Sequence, residues 1–215
     1  LNPPFAIENW GRTSYADAWE RQRAYVDDII SGDRTPTLVF TEHHPVLTLG
    51  ANFHPENLLQ SAEKLAAAGI EVIRTDRGGD VTYHGPGQLV VYPLFPLAWV
   101  NRDIHRWLRE LEQIAIDTAA EFGISARRFP PHTGAWIRDE KFTAIGVKVR
   151  RWVSFHGMAI NCQVNLDHFA TIVPCGIQEF GVTNLSENAG RVIAISDVQP
   201  VVAACFKRTF ASNAV

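Results

Sequence analysis

The chain of 215 residues is poor in cysteine and methionine and carries only a small acidic excess. Its three cysteines are an odd number and too few to staple a small secreted scaffold, so a reducing, cytoplasmic setting is expected. Twenty Lys and Arg against 23 Asp and Glu give a net charge of −3. A chain without a basic balance is not expected to bind nucleic acid in bulk. The longest apolar run, Leu89 to Val100, is twelve residues, is broken by Pro93 and Pro96, and is too short to cross a bilayer, so no membrane partner is expected. No basic-then-apolar segment stands at the N-terminus, so no secretory signal is expected. No Gly-Lys-Ser/Thr follows the glycines, which excludes a nucleotide-hydrolysing P-loop. His43, His44 and His54 lack HExxH or Cys/His ligand spacing, so no metal site is expected. No repeat, low-complexity tract or linker interrupts the chain. With 46% hydrophobic and 20% charged residues, one domain spanning 1–215 with a substantial core is the economical reading.

The chain is organised around Arg77-Gly78-Gly79-Asp80-Val81-Thr82-Tyr83-His84-Gly85-Pro86-Gly87-Gln88. Four glycines and a proline fall within eleven residues, with Thr82, Tyr83 and His84 among them. An ordinary surface turn needs one or two glycines. The stretch therefore reads as a Gly-rich loop that can wrap a ligand closely and that leads into a strand from Gln88 to Phe95.

Helical periodicity marks Ser14 to Ile30, Ser61 to Ala68, Asp103 to Phe122 and Asp197 to Phe210. Thr13 or Ser14 can cap the first, and Gly32, Gly69 and Gly123 stop the first three. Ser196 and Gln199 have capping-box spacing, with Pro200 in the first turn. Strands are expected over Thr37 to Thr41, Val46 to Leu49, Ile70 to Thr75, Gly134 to Ile137, Phe142 to Val149 and Phe155 to Leu166, with Arg138 to Lys141 as a hairpin turn. Asn52 to Gln60 reads as a loop and Asp167 to Ile172 as a helical turn. Strands both adjacent in sequence and separated by helices favour an α+β fold, a mixed sheet flanked by helices.

The cysteines separate by phase. Cys162 shares a strand face with Met158, Ile160 and Val164, and Cys205 shares a helix face with Val202 and Phe206, so both read as core. Cys175 stands in a sharp turn between Pro174 and Gly176, where a buried thiol and a nucleophile are equally compatible with its position. A nucleophile needs a cation nearby, because a thiol near pKa 8.5 is only a few per cent ionised at neutrality. His84, His156, Lys141 and Lys148 are the candidates, with a histidine the default.

The glycine-rich block closely resembles the signature loop of bacterial lipoyl(octanoyl) transferases. Lys141-Phe142-Thr143-Ala144-Ile145-Gly146, His156-Gly157-Met158-Ala159-Ile160-Asn161 and Pro174-Cys175-Gly176 resemble that family's three following blocks, in order. The resemblance spans roughly residues 35 to 190 and implies a biotin/lipoate-ligase-like fold. It implies transfer of an octanoyl group from acyl carrier protein to a lysine of a lipoyl domain, without an added cofactor. The acceptors it implies are the lipoyl domains of 2-oxoacid dehydrogenase E2 subunits and the glycine cleavage H protein. Carried over by residue, Cys175 is the acyl-thioester nucleophile, and Lys141 lowers its pKa and handles protons. Arg77, Gly78, Gly79, Asp80, Val81, Thr82, Tyr83, His84, Ala144, Ile145, Gly146, Gly157, Met158 and Ala159 line the acyl site. A monomer is expected, and the basic run Lys148, Arg150, Arg151 reads either as a solvated strand edge or as a docking surface for an acidic carrier.

Three rivals remain at this point. An ATP-dependent lipoate or biotin protein ligase shares the fold but needs no nucleophilic cysteine. A Cys–His hydrolase would use Cys175 and His84 with water as acceptor. A non-catalytic module that binds lipoyl domains would need no reactive thiol.

Overall fold

A computed structural model describes residues 5–173 and 180–210. Pro174, Cys175 and Gly176 lie outside the described residues. The chain begins with β1 (Ala6–Thr13), a strand the sequence pattern did not reveal, and α1 (Tyr15–Ser31). Ser14 caps α1 by accepting from Asp17 N–H at 3.1 Å, and Gly32 closes it at φ 88°, a left-handed conformation that suits glycine. Then follow β2 (Thr37–His43), β3 (Val46–Leu49), α2 (Ala62–Ala67), β4 (Glu71–Arg74), β5 (Val81–His84) and β6 (Gln88–Leu94). Next come α3 (Ile104–Glu121), capped by Asp103, then β7 (Arg127–Phe129), β8 (His132–Ile137), β9 (Glu140–Arg150) and β10 (Val153–Asn161). The chain ends in β11 (Gly181–Val182), α4 (Leu185–Ala189) and α5 (Ile195–Phe210).

The larger sheet runs β1-β2-β6-β10-β9-β8-β7, with β11 beside β9. β1 is parallel to β2 and β11 to β9, and the other pairs are antiparallel. Its one face carries the main core against α3 and α5, where Phe95, Trp107, Phe142, Phe206 and Phe210 are buried. Its other face carries Val90, Tyr92, Phe155 and Ala159 against Ala18 and Val26 of α1. β10 is buried on both faces for this reason, so its polar–apolar alternation marks two packed sides rather than a wet one. A second sheet, β4-β3-β5, packs Leu47, Val81 and Tyr83 against Leu65, Phe169 and Ile172.

Several expectations are corrected. A third of the supposed Gly-rich loop, Val81–His84, is β5, held by its ladder with β3. β10 ends at Asn161, so Cys162 lies just past it; Cys162 belongs to the main core while Val164 belongs to the small one. Lys141 is not in the hairpin turn. The turn is confined to Arg138 and Asp139, and Lys141 is a strand residue only 8% exposed. α5 starts at Ile195, where Asp197 accepts from Ala194 N–H at 2.9 Å, so the Ser196–Gln199 box is not used and Pro200 stands inside the helix. β8 pairs with β9 only as far as Thr143.

Candidate active site

A cleft with about 480 Å³ of empty space, part of it open to solvent, lies where the two sheets and the start of α1 meet. Its floor follows the strand registers. Val90, Ala159 and Ala144 lie side by side across β6, β10 and β9, and Gly157 and Gly146 are paired two residues further on. Ile145 and Met158 complete the apolar surface. One wall is the segment from Arg77 to Asp80, and Thr82 and His84 project from β5 above the floor.

Close approach of backbones explains two glycines. Gly78 N–H donates to Val147 O at 3.0 Å, and a Cβ on Gly146 would lie 2.7 Å from Gly78 O. A Cβ on Gly157 would collide with the Val91 carbonyl. Arg77 is buried and spans the sheets, donating from Nη2 to Thr48 O at 2.6 Å and from Nε to Thr48 Oγ1 at 3.0 Å. Asp80 fixes the preceding loop, accepting from Asn57 Nδ2 at 2.6 Å and His54 N–H at 3.1 Å. Twelve of the fourteen residues that the resemblance assigns to the acyl site line this cleft. Val81 and Tyr83 do not, which corrects that part of the expectation. Strand alternation turns them into the small core, where Tyr83 OH meets His168 Nδ1 at 2.6 Å. Gly85 is likewise shaped by packing, since a Cβ there would collide with the Tyr83 ring.

Lys141 lies at one end of the cleft, in an adjoining space of about 270 Å³ that shares Thr82 and Ala144 with it. Its Nζ sits 4.9 Å from the centre of the Trp136 ring, a cation–π contact in a water-poor setting. A Cβ on Gly134 would lie 3.4 Å from the Lys141 stem, so the lysine runs close along the backbone of β8.

Sequence reasoning missed the polar back wall. Tyr15, assigned only to the apolar face of α1, stacks near-parallel to His84 and His156 at 5.8 and 6.4 Å. Tyr15 OH donates to His156 Nδ1 at 3.3 Å, because His156 Nε2 gives its proton to Asp76 Oδ1 at 2.9 Å. His43 Nδ1 gives its proton to Thr13 O at 3.2 Å, and Tyr92 OH donates to His43 Nε2 at 2.7 Å. Burial holds all three histidines below their ordinary range: His43 at about 4, His84 well below, and His156 lowered despite Asp76. The Asp76 carboxyl is held down, chiefly by the His156 hydrogen bond. At neutral pH the pair is thus a neutral ring donating to a carboxylate, not an ion pair, since burial outweighs the attraction. His156 also has φ 55° within a strand, a strained conformation held by its N–H to Gln22 Oε1 at 2.8 Å. The single available signal was the aromatic spacing of Tyr15, Tyr92 and the histidines, which has no period.

Among the described residues, no group of three His, Cys, Asp or Glu could hold a metal ion. No described helix is long and apolar enough to cross a membrane.

The lipoyl protein ligase A/B catalytic domain matches residues 14–207. An octanoyltransferase from Clostridium kluyveri is 43% identical over 202 residues, which cover 94% of this chain and 86% of that protein. One from Rubrobacter xylanophilus is 45% identical over 199 residues, covering 92% and 89%. One from Myxococcus xanthus is 42% identical over 95% of this chain, which spans 59% of that longer protein. Among solved structures, a putative lipoate protein ligase from T. acidophilum with bound lipoic acid superposes with a TM-score of 0.72 at 16% identity, covering 98% of this chain and 87% of that one. The apo biotin protein ligase from Aquifex aeolicus gives 0.53 at 10% identity, covering 97% and 69%. Those structures speak to the fold, which is biotin/lipoate-ligase-like, and the relatives speak to the family. With the matched domain and the three relatives each covering nearly all of the chain, this protein belongs to the octanoyltransferase family of acyltransferases.

Proposed function

We propose that octanoyl transfer in this chain runs from acyl carrier protein to a lipoyl-domain lysine through a thioester on Cys175, with Lys141 as its cationic partner. The observation that carries this reading is a buried lysine at the end of an apolar, glycine-floored cleft. The described residues flanking the Cys175 segment support it. Val173 N–H donates to Asn57 O at 2.8 Å, and Asn57 in turn holds Asp80 of the cleft. Phe180 packs edge-on against Trp136, the ring beneath Lys141.

The chemistry is balanced without ATP. Thiolate attacks the carrier thioester, the acyl group moves to sulfur, and the carrier thiol leaves with a proton from Lys141. The acceptor amine then attacks the acyl-enzyme, forms the more stable amide, and returns a proton. A cation attracts a thiolate more strongly where water is excluded. Burying about six methylenes on the floor would contribute about 5 kcal/mol toward holding the chain. The acceptors would be the lipoyl domains of E2 subunits and the H protein, in a cytoplasmic setting, with one catalytic domain acting as a monomer and no added cofactor.

The test is intact mass after incubation with octanoyl-carrier protein in the absence of ATP. One octanoyl group on the protein, mapped to Cys175, is expected. No adduct without ATP, and one with it, would favour the ligase reaction instead.

A further inference from the structure

Outside the cleft, a carboxylate is sealed in the fold. Glu112 of α3 is 0% exposed. A charge in that setting is stable only when it is paired and hydrogen-bonded. Arg109 Nη1 and Arg128 Nε lie 2.9 and 3.1 Å from its Oε2. Its other oxygen, Oε1, accepts from Gly134 N–H of β8 at 3.1 Å.

Gly134 stands where the β8–β9 ladder is irregular. Ala135 pairs with Thr143 and Trp136 with Lys141, so a single step on β8 matches a double step on β9, and Phe142 is the extra residue. Such a β-bulge re-aims the side chains beside it. By plain alternation Lys141 would share a face with Val147 and Val149, which pack against the main core. Phe142 would then share the cleft face with Ala144. The bulge exchanges the two. Phe142 is buried in the main core, and Lys141 lies with Ala144 at the end of the cleft, over the Trp136 ring. The exchange brings the strands close at Gly134. Its φ is 128°, and a Cβ there would lie 2.6 Å from Thr143 O and 3.4 Å from Lys141 Cδ and Cε.

Resting on the transferase reading above, we propose that Glu112 is a positioning residue for Lys141. Its carboxylate ties the β8 backbone to α3 beside the bulge, and the bulge aims the lysine at the end of the cleft. A helix–sheet contact serving stability alone is met as well by apolar packing, because a buried charge seldom recovers its desolvation cost. A carboxylate on a backbone N–H adds a direction that packing lacks.

Nuclear magnetic resonance on the full chain with ¹³C-labelled lysine reads the position directly, and Lys141→Arg assigns the signals. In the wild type the Lys141 ε-protons should be displaced upfield by the Trp136 ring and should cross-relax with the Gly134 α-protons. Absence of both signatures overturns the proposal whatever any variant does. Glu112→Leu should lose both and lower kcat for octanoyl transfer at least about tenfold, with KM for the lipoyl domain little changed. Arg109→Met controls for stability. It takes one cation from the same carboxylate and leaves Gly134 its acceptor, so the melting temperature should fall while the Lys141 signatures and kcat stay. Should Glu112→Leu fail to fold, Gly134→Ala keeps Glu112 and its ion pairs, drives a Cβ against Thr143 O, and should displace Lys141 with the same loss of kcat. In a Lys141→Ala background neither substitution should slow the residual transfer further, because positioning acts through the lysine. Unchanged Lys141 signatures in the folded variants, or further slowing in the Lys141→Ala background, would refute the positioning role while leaving the thioester reading intact. Full turnover in Lys141→Ala would remove the lysine from that reading, and this proposal with it.

Discussion

Acid should unfold this protein through its histidines before its carboxylates are reached. His43, His84 and His156 are at most 6% exposed, and burial is the largest cause of the downward shift at each. The unfolded chain takes up a proton at each ring as pH falls below the ordinary value of 6.5, and the native chain does not. Stability is therefore fully present above that value and is lost as pH falls toward the native values. For His43 a drop from 6.5 to about 4 corresponds to roughly 3 kcal/mol. With His43 and His84 resisting together the slope approaches about 3 kcal/mol per pH unit, and His156 adds to it in the same direction. A domain holding about 5–15 kcal/mol in total cannot sustain that slope for long. The assay is the urea midpoint and slope across a pH series, converted to protons taken up on unfolding. His43→Gln should reduce the uptake by about one proton between about pH 6 and pH 5. A wild-type uptake below one proton in that window, or no change in His43→Gln, would refute the argument that these rings are buried neutral.

Cys175→Ser should abolish transfer in a folded protein, whereas Cys162→Ala and Cys205→Ala should lower stability by about 1 kcal/mol each and leave turnover in place, as urea melts and steady-state assays would show. Lys141→Ala should shift the pH profile of Cys175 alkylation toward that of an ordinary thiol. Lys141→Arg should keep a cation but lose most turnover, because a guanidinium does not exchange protons in this range; superimposable profiles in all three proteins would show that Lys141 is not the activating group. Gly79→Val should raise KM for the donor through its φ of 88°, whereas Gly85→Val should lower the melting temperature by displacing Tyr83, so equal effects of the two on KM alone would contradict the structure.

The regular parts of the fold were legible where one period dominated. Ser14 and Gly32 act at the ends where capping chemistry put them, and α1 and α3 run close to the expected ranges, with Asp103 serving α3 as a cap that the sequence reading had not singled out. What escaped was set by partners distant in sequence. β1 is a strand because β2 lies beside it, and its exposed side chains carry no apolar period. β5 was hidden among glycines whose strand ladder depends on β3. Lys141 looked like a turn residue because a two-residue hairpin and a long turn share the same charged composition. The cleft walls were legible through the motif blocks, but only register shows that Thr82 and His84 face the cleft while Val81 and Tyr83 turn away. The back wall of Tyr15, His43, Tyr92 and His156 draws on four separate elements, and its hydrogen bonds have no local trace in the sequence.

The short pairing of β8 with β9 has a further consequence. Beyond Thr143, no strand pairs with that side of β9 among the described residues, where Gly78 N–H donates to Val147 O. An uncapped border of this kind is a template on which foreign strands can grow. It cannot be closed by extending β8, because Ala144 to Gly146 form the cleft floor and Gly78 must reach Val147. The alternative defence is electrostatic. Lys148 and Arg150 are exposed along the stretch, and Arg150 is tied to Asp27 of α1 at 2.8 Å. The basic run thereby places charge along that border, independent of any carrier. Neutralising Lys148 and Arg150 together should leave the site intact while light scattering reveals concentration-dependent assembly, the penalty for a catalytic groove built on an open strand.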